Sequence, residues 1–214
     1  MGRFKIVTVI PAYNEEKTIL KVIQDVKKYT DIIVVDDNSV DQTLEIAKKE
    51  KILVLKNYKN LGYEKTLHNG LFKAIELNYD YAITFDADGQ HLPSDLEKFK
   101  KLINSGYDLV LGNRSCIYRF SERIAKKLFF KKWKIKDPFC GFKAYDLKKI
   151  KEFNFFERYS SVGTDLSLSF IQKGYKFTNV DIESFERNGK SKFGNIILGN
   201  YKILKSVFLS YFFH

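Results

Sequence analysis

Short apolar runs alternate with helical patterns along the first half of the chain. The runs hold three to five residues and almost no polar side chains, as in strands that are buried on both faces of a sheet. Between the runs, apolar residues recur every three or four positions, which is the spacing of a helix with one buried face. Strands are predicted at residues 6–10, 32–35, 52–55, 81–85 and 109–111, and helices at residues 14–26, 39–49, 64–77 and 94–104. The alternation predicts an α/β fold with a mainly parallel sheet that helices cover on both faces.

Single residues indicate where some of these elements begin and end. Pro11 is expected to end the first strand. Asn14 is the expected cap of the first helix, because acidic residues follow it in the first turn. Ser39 and Gln42 have the spacing of a capping box, which predicts the start of the second helix.

Polar clusters follow three of the predicted strands. They are the PAYN segment at residues 11–14, the DDNS segment at residues 36–39 and the DADGQ segment at residues 86–90. Because the carboxyl ends of parallel strands share one edge of a sheet, where ligands bind, we expect these clusters to lie together. Asp86, Asp88 and Gln90 offer the hard oxygen ligands that suit Mg²⁺ or Mn²⁺ bridging a substrate diphosphate. The simpler alternative is an acidic turn before a helix that begins near Pro93.

The composition is that of one globular domain. The chain has 214 residues, of which 44% are hydrophobic, and this is enough for a sizeable core. Its two cysteines, Cys116 and Cys140, have the spacing of neither a disulfide framework nor a zinc site, so a reducing cytoplasm is the expected location. The N-terminus leads into a strand without a signal-peptide pattern, so we expect no export signal. The net charge of +11 favours anionic partners, which are nucleic acid, phosphorylated ligands or an anionic membrane surface.

The second half contains a strongly basic segment at residues 113–136. It holds nine Lys or Arg residues against a single acid, Glu122. Aromatic and aliphatic side chains interleave with the charges at helical spacing, namely Phe120, Ile124, Leu128, Phe129 and Trp133. The segment therefore predicts an amphipathic helix, and such helices commonly lie on anionic membrane surfaces. A basic helix face that is simply solvated is the alternative.

The end of the chain is predicted to form an element of its own. Residues 1–194 are expected to form the main domain and residues 195–214 a C-terminal amphipathic helix. Lys202 and Lys205 interrupt the apolar run of this tail, so it falls short of the roughly 20 apolar residues that span a bilayer. The tail is expected either to pack on the domain or to lie in the membrane interface with its Phe side chains in lipid.

Four motifs follow one another in the first 90 residues: VIPAYNE at 9–15, VDDNS at 35–39, NLG at 60–62 and DAD at 86–88. In this order and spacing they resemble the motifs of the family 2 glycosyltransferases, which have the Rossmann-like GT-A fold. Three later segments are GNR at 112–114, DPFCGFK at 137–143 and RNGKSK at 187–192. Together with DADGQH at 86–91, these are similar to the dolichyl-phosphate mannose and glucose synthase group. Members of that group move a sugar from a nucleotide donor to a polyprenyl phosphate.

The resemblance implies roles for the residues of these motifs. The donor nucleotide would meet Pro11, Ala12, Tyr13, Glu15, Asp37, Asn60, Asp86 and Ala87. Tyr13 would contact the nucleoside through its ring, and Asp37 would accept from a base N–H. Asp86, Asp88 and Gln90 would hold Mg²⁺ or Mn²⁺, and Asp88 would thereby be catalytic. The phosphates of donor and acceptor would meet Arg114, Arg187, Ser191 and Lys192. Around residues 61–66, bulky and charged side chains replace the small ones usual in the family.

The acceptor distinguishes two enzyme hypotheses. In the family that the chain resembles, many members place an acidic catalytic base at the start of a late helix. Asp165, at the expected start of a helix over residues 164–173, would accordingly be a catalytic base, a group that positions the acceptor, or a helix-start carboxylate. A hydroxyl of a polysaccharide, lipopolysaccharide or protein would need the base, whereas a polyprenyl phosphate at the cytoplasmic membrane face is already ionised. UDP-linked and GDP-linked sugars are both open as donors. Nucleic acid is not an expected partner, because the acidic clusters would repel its phosphates unless a cation intervened.

Overall fold

Seven strands form one sheet in the computed structural model, which describes residues 4–115, 120–153 and 163–185. The strands are β1 (Ile6–Ala12), β2 (Asp31–Asp36), β3 (Leu53–Lys56), β4 (Tyr81–Thr84), β5 (Leu109–Arg114), β6 (Lys143–Asp146) and β7 (Phe177–Ile182). Their order across the sheet is β3-β2-β1-β4-β6-β5-β7. β6 is antiparallel to both of its neighbours, and the other neighbouring strands are parallel. The predicted α/β fold with a mainly parallel sheet is confirmed.

Helices cover both faces of the sheet, as predicted. They are α1 (Ile19–Val26), α2 (Thr43–Lys49), α3 (Tyr63–Glu76), α4 (Leu96–Asn104), α5 (Phe120–Trp133), α6 (Leu147–Ile150) and α7 (Thr164–Gln172). One core cluster packs α3, α5 and α7 against the sheet, and a second cluster packs α1 and α4 against the opposite face. Neighbouring strand residues alternate between the two clusters, since Val9 belongs to the first and Ile10 to the second.

Asn14 and Ser39 cap no helix, so both capping predictions are wrong. α1 begins at Ile19 and α2 at Thr43. The main-chain N–H of Asn14 donates to the Ser39 hydroxyl over 3.0 Å, and the Asn14 side chain accepts from the N–H of Val40 over 2.9 Å. Asn14 has a φ of +54°, a left-handed conformation that Asn tolerates better than most residues. These short polar side chains therefore join two loops to each other.

Two strands run further than the sequence pattern predicted. β1 continues through Pro11 to Ala12, so Pro11 does not end it. Pro11 lies opposite Val35 in the parallel pairing with β2. β5 continues to Arg114, so the first residues of the basic segment belong to a strand and not to its helix. Both extensions carry predicted site residues on the rigid sheet.

The basic helix α5 buries one side against the domain. Ala125, Phe129 and Trp133 are buried and belong to the first core cluster. Phe120 and Phe130 are exposed instead, on the outer side of the helix. The amphipathic pattern is therefore largely explained by packing on the sheet. Among the described residues, no helix combines the length and hydropathy needed to cross a bilayer.

Candidate active site

The three polar clusters lie at the carboxyl ends of β1, β2 and β4, which are neighbours in the sheet. Hydrogen bonds between main-chain groups, and between main-chain groups and threonine hydroxyls, connect these segments. The Asp37 N–H donates to the Ala12 carbonyl over 2.8 Å, and the Thr18 hydroxyl donates to the Ala87 carbonyl over 2.7 Å. The Glu15 N–H donates to the Thr43 hydroxyl over 2.7 Å, and Glu15 is buried. The parallel topology has thus gathered the predicted donor residues on one edge of the sheet.

Asp37 is buried and holds the loop that precedes α3. One carboxylate oxygen accepts from the Asn57 amide and from the Leu61 N–H, each over 2.8 Å. The other oxygen accepts from the Gly62 N–H over 2.9 Å. A carboxylate has about four acceptor positions, so three are used within the chain and one remains for a ligand N–H. Asp37 therefore fixes the loop before α3, and its contact with a base stays a prediction.

Asp86 is held from three sides. The Tyr63 hydroxyl donates to its Oδ1 over 3.0 Å, and the Nε2 of buried His91 lies 3.2 Å from its Oδ2. We assign the imidazole proton to Nε2, because that nitrogen faces the carboxylate. Gly141 packs against the same carboxylate, and a Cβ on Gly141 would lie only 2.3 Å from Oδ2. The orientation of Asp86 is therefore fixed before any ligand arrives.

Asp88 and Gln90 lie in the turn that follows β4. The Gln90 N–H donates to Asp88 Oδ1 over 3.1 Å. The Gln90 side-chain amide donates through Nε2 to the Phe185 carbonyl over 3.1 Å, so this bond uses the amide N–H₂ and not the oxygen. The Phe185 N–H donates in turn to the Gln90 carbonyl over 2.9 Å. This pairing anchors the turn to the chain segment that follows β7.

The predicted ligands fit a divalent cation that shares its shell with a substrate. No cluster of three or more His, Cys, Asp or Glu side chains that could hold a metal occurs among the described residues. Asp86, Asp88 and Gln90 supply carboxylate and amide oxygens, which are the ligands that Mg²⁺ and Mn²⁺ prefer. Mg²⁺ commonly binds through one or two carboxylates together with substrate phosphates. The donor set therefore suits a cation whose shell a diphosphate completes.

Arg114 ends β5, which lies two strands from β4 at the same carboxyl edge of the sheet, and it is engaged in ion pairs there. Its Nε and Nη2 donate to the two oxygens of Asp137 over 2.8 and 3.0 Å, and Nη2 also donates to Glu122 over 2.9 Å. Burial alone would lower the pKa of Arg114, but the carboxylates of Asp137 and Glu122 more than offset this and raise it. The predicted contact of Arg114 with a phosphate would have to compete with these partners.

Asp165 lies in the first turn of α7 and is fully buried. Its neighbour Thr164 donates a hydroxyl hydrogen bond to the Pro138 carbonyl. The buried Lys143 donates from Nζ to the same carbonyl over 3.0 Å. These contacts fix the start of α7 against the DPFCGFK segment. The role predicted for Asp165 stays a prediction.

The remaining predicted residues differ in exposure. Pro11, Ala12 and Ala87 are buried, Tyr13 is half-buried and Asn60 is exposed. Arg187, Ser191 and Lys192 lie outside the described residues, as does the predicted helix at 195–214. The sequence analysis did not assign roles to Tyr63, His91 and Gly141. The sequence held a signal for two of them. His91 directly follows the metal motif, and Tyr63 lies in the segment where bulky residues replace small ones.

A basic cavity of about 370 Å³ lies between α5 and the ends of β5 and β7. It is lined by Asn113, Lys126, Lys127, Phe130, Lys136 and Asp181. Lys126 donates to the Asn113 side chain over 2.8 Å, and Lys136 lies 3.5 Å from Asp181. Three lysines around one carboxylate leave this cavity with a positive charge. It can attract an anionic group.

Comparison with known proteins gives one family and one fold. The family model described as "Glycosyl transferase family 2" matches residues 7–162. Among solved structures, glucosyl-3-phosphoglycerate synthase from Mycobacterium tuberculosis, in complex with Mn²⁺, uridine diphosphate and glucosyl-3-phosphoglycerate, is similar with a TM-score of 0.78. The identity is 19%, and the match covers 97% of this chain and 80% of that chain. This likeness shows a shared GT-A-like fold.

Two curated relatives act on dolichyl phosphate according to their names. UDP-N-acetylglucosamine–dolichyl-phosphate N-acetylglucosaminyltransferase from Methanococcus voltae is 39% identical over 126 residues, which is 50% of this chain and 50% of that protein. Dolichyl-phosphate hexose transferase from Haloferax volcanii is 27% identical over 199 residues, which is 86% of this chain and 84% of that protein. The match thus spans half the length of the first relative.

Proposed function

Because the chain belongs to glycosyl transferase family 2, we propose that it transfers a sugar from a nucleotide-linked donor to a polyprenyl phosphate. The observation that carries the proposal is the Asp86 carboxylate, held by Tyr63 and His91 beside the polar segments that follow β1 and β2 at the carboxyl edge of the sheet. Relatives named for transfer of N-acetylglucosamine or hexose to dolichyl phosphate support the acceptor.

The donor is proposed to lie across the ends of β1, β2 and β4. Tyr13 would contact the nucleoside, and Asp37 would use its remaining acceptor position for a base N–H. Asp86, Asp88 and the Gln90 oxygen would hold Mg²⁺ or Mn²⁺ against the diphosphate. The cation would neutralise the negative charge that develops on the departing nucleoside diphosphate. The protein's own contribution is orientation, since Asp86 is already fixed and needs no rearrangement on binding.

A phosphate acceptor suits the part of the molecule that α5 and α7 form. A phosphate monoester is ionised near pH 7, because its second pKa is about 6, so it attacks without a protein base. Asp165, in the first turn of α7, would then position the acceptor and not take its proton. The basic cavity beside α5 supports the presence of an anionic acceptor on this side of the sheet.

The proposed location is the cytoplasmic face of the membrane, with peripheral binding. The outer side of α5 carries Arg123, Lys127 and Lys131, together with exposed Phe120 and Phe130. Cations attract anionic lipid headgroups, and exposed aromatic rings insert at the acyl boundary. Such a surface would keep the active site close to a lipid-linked acceptor.

The test compares three variants on one short-chain polyprenyl phosphate. We expect Arg187→Ala and Lys192→Ala to reduce turnover more than Asp165→Asn, and Arg187→Ala to reduce it most, because a guanidinium grips phosphate bidentately. Lys48→Ala is the control, since Lys48 is exposed on α2 and pairs only with Glu45 among the described ion pairs. A donor panel of UDP-linked and GDP-linked sugars, assayed with the same acceptor, identifies the nucleotide.

A hydroxyl acceptor would give the opposite pattern. A general base is worth about 10²–10⁴ in rate, so Asp165→Asn would then abolish transfer on its own. If the two basic variants stay near wild type at the same time, the phosphate-acceptor proposal is wrong. Circular dichroism of Asp165→Asn separates loss of the base from loss of the fold.

A further inference from the structure

Tyr63 lies where two acidic groups of the site meet the start of α3. Asp37 holds the Gly62 N–H, and Gly62 has a φ of +87°, a left-handed conformation that favours glycine. This turn begins α3 and brings the next side chain, Tyr63, to Asp86. The hydroxyl of Tyr63 then donates to Asp86 Oδ1 over 3.0 Å. The nucleoside side of the proposed pocket is thus linked to the metal side through two consecutive residues.

We propose that Tyr63 is a positioning residue that, together with His91, orients Asp86 for a divalent cation. The two donors approach opposite oxygens of the carboxylate, and Gly141 packs against the same group. Each donor uses one acceptor position, so the carboxylate can rotate only by breaking a hydrogen bond. The chain itself therefore sets the orientation of the Asp86 carboxylate. This inference rests on the proposed function, because it concerns the same metal site.

The surroundings of Tyr63 suit a permanent donor. Its ring is partly buried and packs against the core cluster that contains α3. Burial, and then the negative charge of Asp86, raise the pKa of Tyr63 well above its ordinary value. The hydroxyl lies within hydrogen-bond distance of Asp86 Oδ1, so it orients the carboxylate as a neutral donor. Hydrogen-bonded partners of metal ligands orient those ligands, and their removal typically costs about 10–100-fold in metal affinity.

The chain offers a matched control in Tyr79. Its hydroxyl also donates to a carboxylate, Asp31 Oδ2, over the same 3.0 Å. Asp31 begins β2, so this pair lies at the end of the sheet opposite to the candidate site. Tyr79→Phe and Tyr63→Phe remove the same atom and the same kind of hydrogen bond. Only the second change lies beside Asp86.

The experiment measures metal affinity directly, in the presence of saturating UDP. Mn²⁺ binding to the full chain is followed by electron paramagnetic resonance, and Mg²⁺ and Ca²⁺ are measured by competition. We expect Tyr63→Phe to weaken Mn²⁺ and Mg²⁺ binding by about 10–100-fold and Tyr79→Phe to leave it unchanged. Ca²⁺ binding should weaken less, because Ca²⁺ accepts irregular geometry and Mg²⁺ requires a near-ideal octahedron.

The possible outcomes separate this inference from the proposed function. If wild type binds no Mn²⁺ with UDP, the proposed metal site fails and the inference fails with it. If wild type binds Mn²⁺ and Tyr63→Phe binds it equally well, only the inference is overturned. A parallel loss for all three cations would assign Tyr63 a general structural role and would also overturn it. If Tyr63→Phe is less stable than wild type, Tyr63→Gln, which retains a donor, provides the second variant. A preference of Tyr63→Gln for Mg²⁺ over Ca²⁺ like that of wild type would support the positioning role.

Discussion

Two neighbouring regions use their charges differently: the acidic side, which is the group of polar segments after β1, β2 and β4, and the basic side, which is formed by the end of β5 and by α5. On the acidic side, Asp37 and Asp86 are buried or half-buried and accept hydrogen bonds from neutral N–H and O–H groups of the chain. On the basic side, Arg114 meets two carboxylates, and the exposed lysines lie along the outside of α5. These donors are neutral, so they orient the two acids without bringing an opposite charge to them. The charge of Arg114 is already balanced.

The contrast follows from the topology. Parallel strands bring their carboxyl ends to one edge, so the short polar segments after β1, β2 and β4 converge. The basic residues lie mainly on one helix, where they spread over its length and do not converge on a point. A concentrated site is therefore expected on the acidic side and a broad surface on the basic side.

The largest effect should come from the acidic side. We expect Asp88→Asn to reduce turnover by about 10⁴-fold, since a metal that would neutralise the departing diphosphate is worth several kcal/mol. Asp25→Asn is the control, because Asp25 lies on α1 and pairs with Lys28. Transfer is measured with Mn²⁺ present and again in excess chelator. Full activity of Asp88→Asn in chelator would contradict the prediction, because transfer would then need neither Asp88 nor a metal on the acidic side.

The next effect concerns stability on the basic side. Burial raises the pKa of Asp137, but the Arg114 guanidinium more than offsets this, so the pKa lies below its ordinary value. Breaking such a buried pair costs about 3–5 kcal/mol, and we expect this loss in urea unfolding of Asp137→Ala at pH 7. Because the folded pKa is the lower one, the stabilisation is present above the unfolded value of about 3.9 and is lost as pH falls through the folded value.

Unfolding measured at pH 7 and at pH 3 checks this prediction. The difference between wild type and Asp137→Ala should shrink at the lower pH. If Asp137→Ala is as stable as wild type at pH 7 but inactive, Arg114 and Asp137 belong to the reaction instead. The acidic side and the basic side would then resemble each other.

The smallest effect is expected at the surface of α5. Each Lys near an anionic membrane is worth about 1 kcal/mol, so Lys127→Ala should weaken binding to phosphatidylserine vesicles about fivefold. Added salt should weaken the binding of wild type in the same direction. Lys48→Ala, on a helix that packs against the other face of the sheet, should bind as wild type does. Sedimentation without vesicle association at low salt would leave α5 as a solvated face.

Sequence reasoning succeeded where a signal is local. The apolar runs predicted the strands, and the DAD motif lies at the end of β4 as expected. The predictions were wrong or incomplete where a polar side chain bonds to a residue far away in the sequence. Asn14 bonds to a loop 26 residues away, and Arg114 bonds to Asp137, which lies 23 residues further along the chain. Capping rules and charge counts describe what a residue can bind, and the fold decides which partner it finds.

The same distinction explains the mixed outcome for α5. Helical spacing correctly predicted a helix with an apolar side, but periodicity does not say whether lipid or protein covers that side. Phe129 and Trp133 are buried in the core beside the sheet, whereas Phe130 is exposed. The antiparallel strand β6 was missed for a related reason, because four residues with polar ends carry too little pattern to reveal direction.

The missing side chain at Gly141 has a consequence for how this site can evolve. The space that a Cβ would need is taken by the Asp86 carboxylate, so positions 86 and 141 are not independent. In a mutagenesis library, substitutions at 141 would therefore disturb the Asp86 carboxylate, although glycine itself has no side chain that could bind a ligand. A bulkier residue at 141 becomes accessible only after the acid at 86 has moved or been replaced. Any path that places a side chain at 141 therefore needs two changes, and the arrangement around Asp86 is lost at the intermediate step.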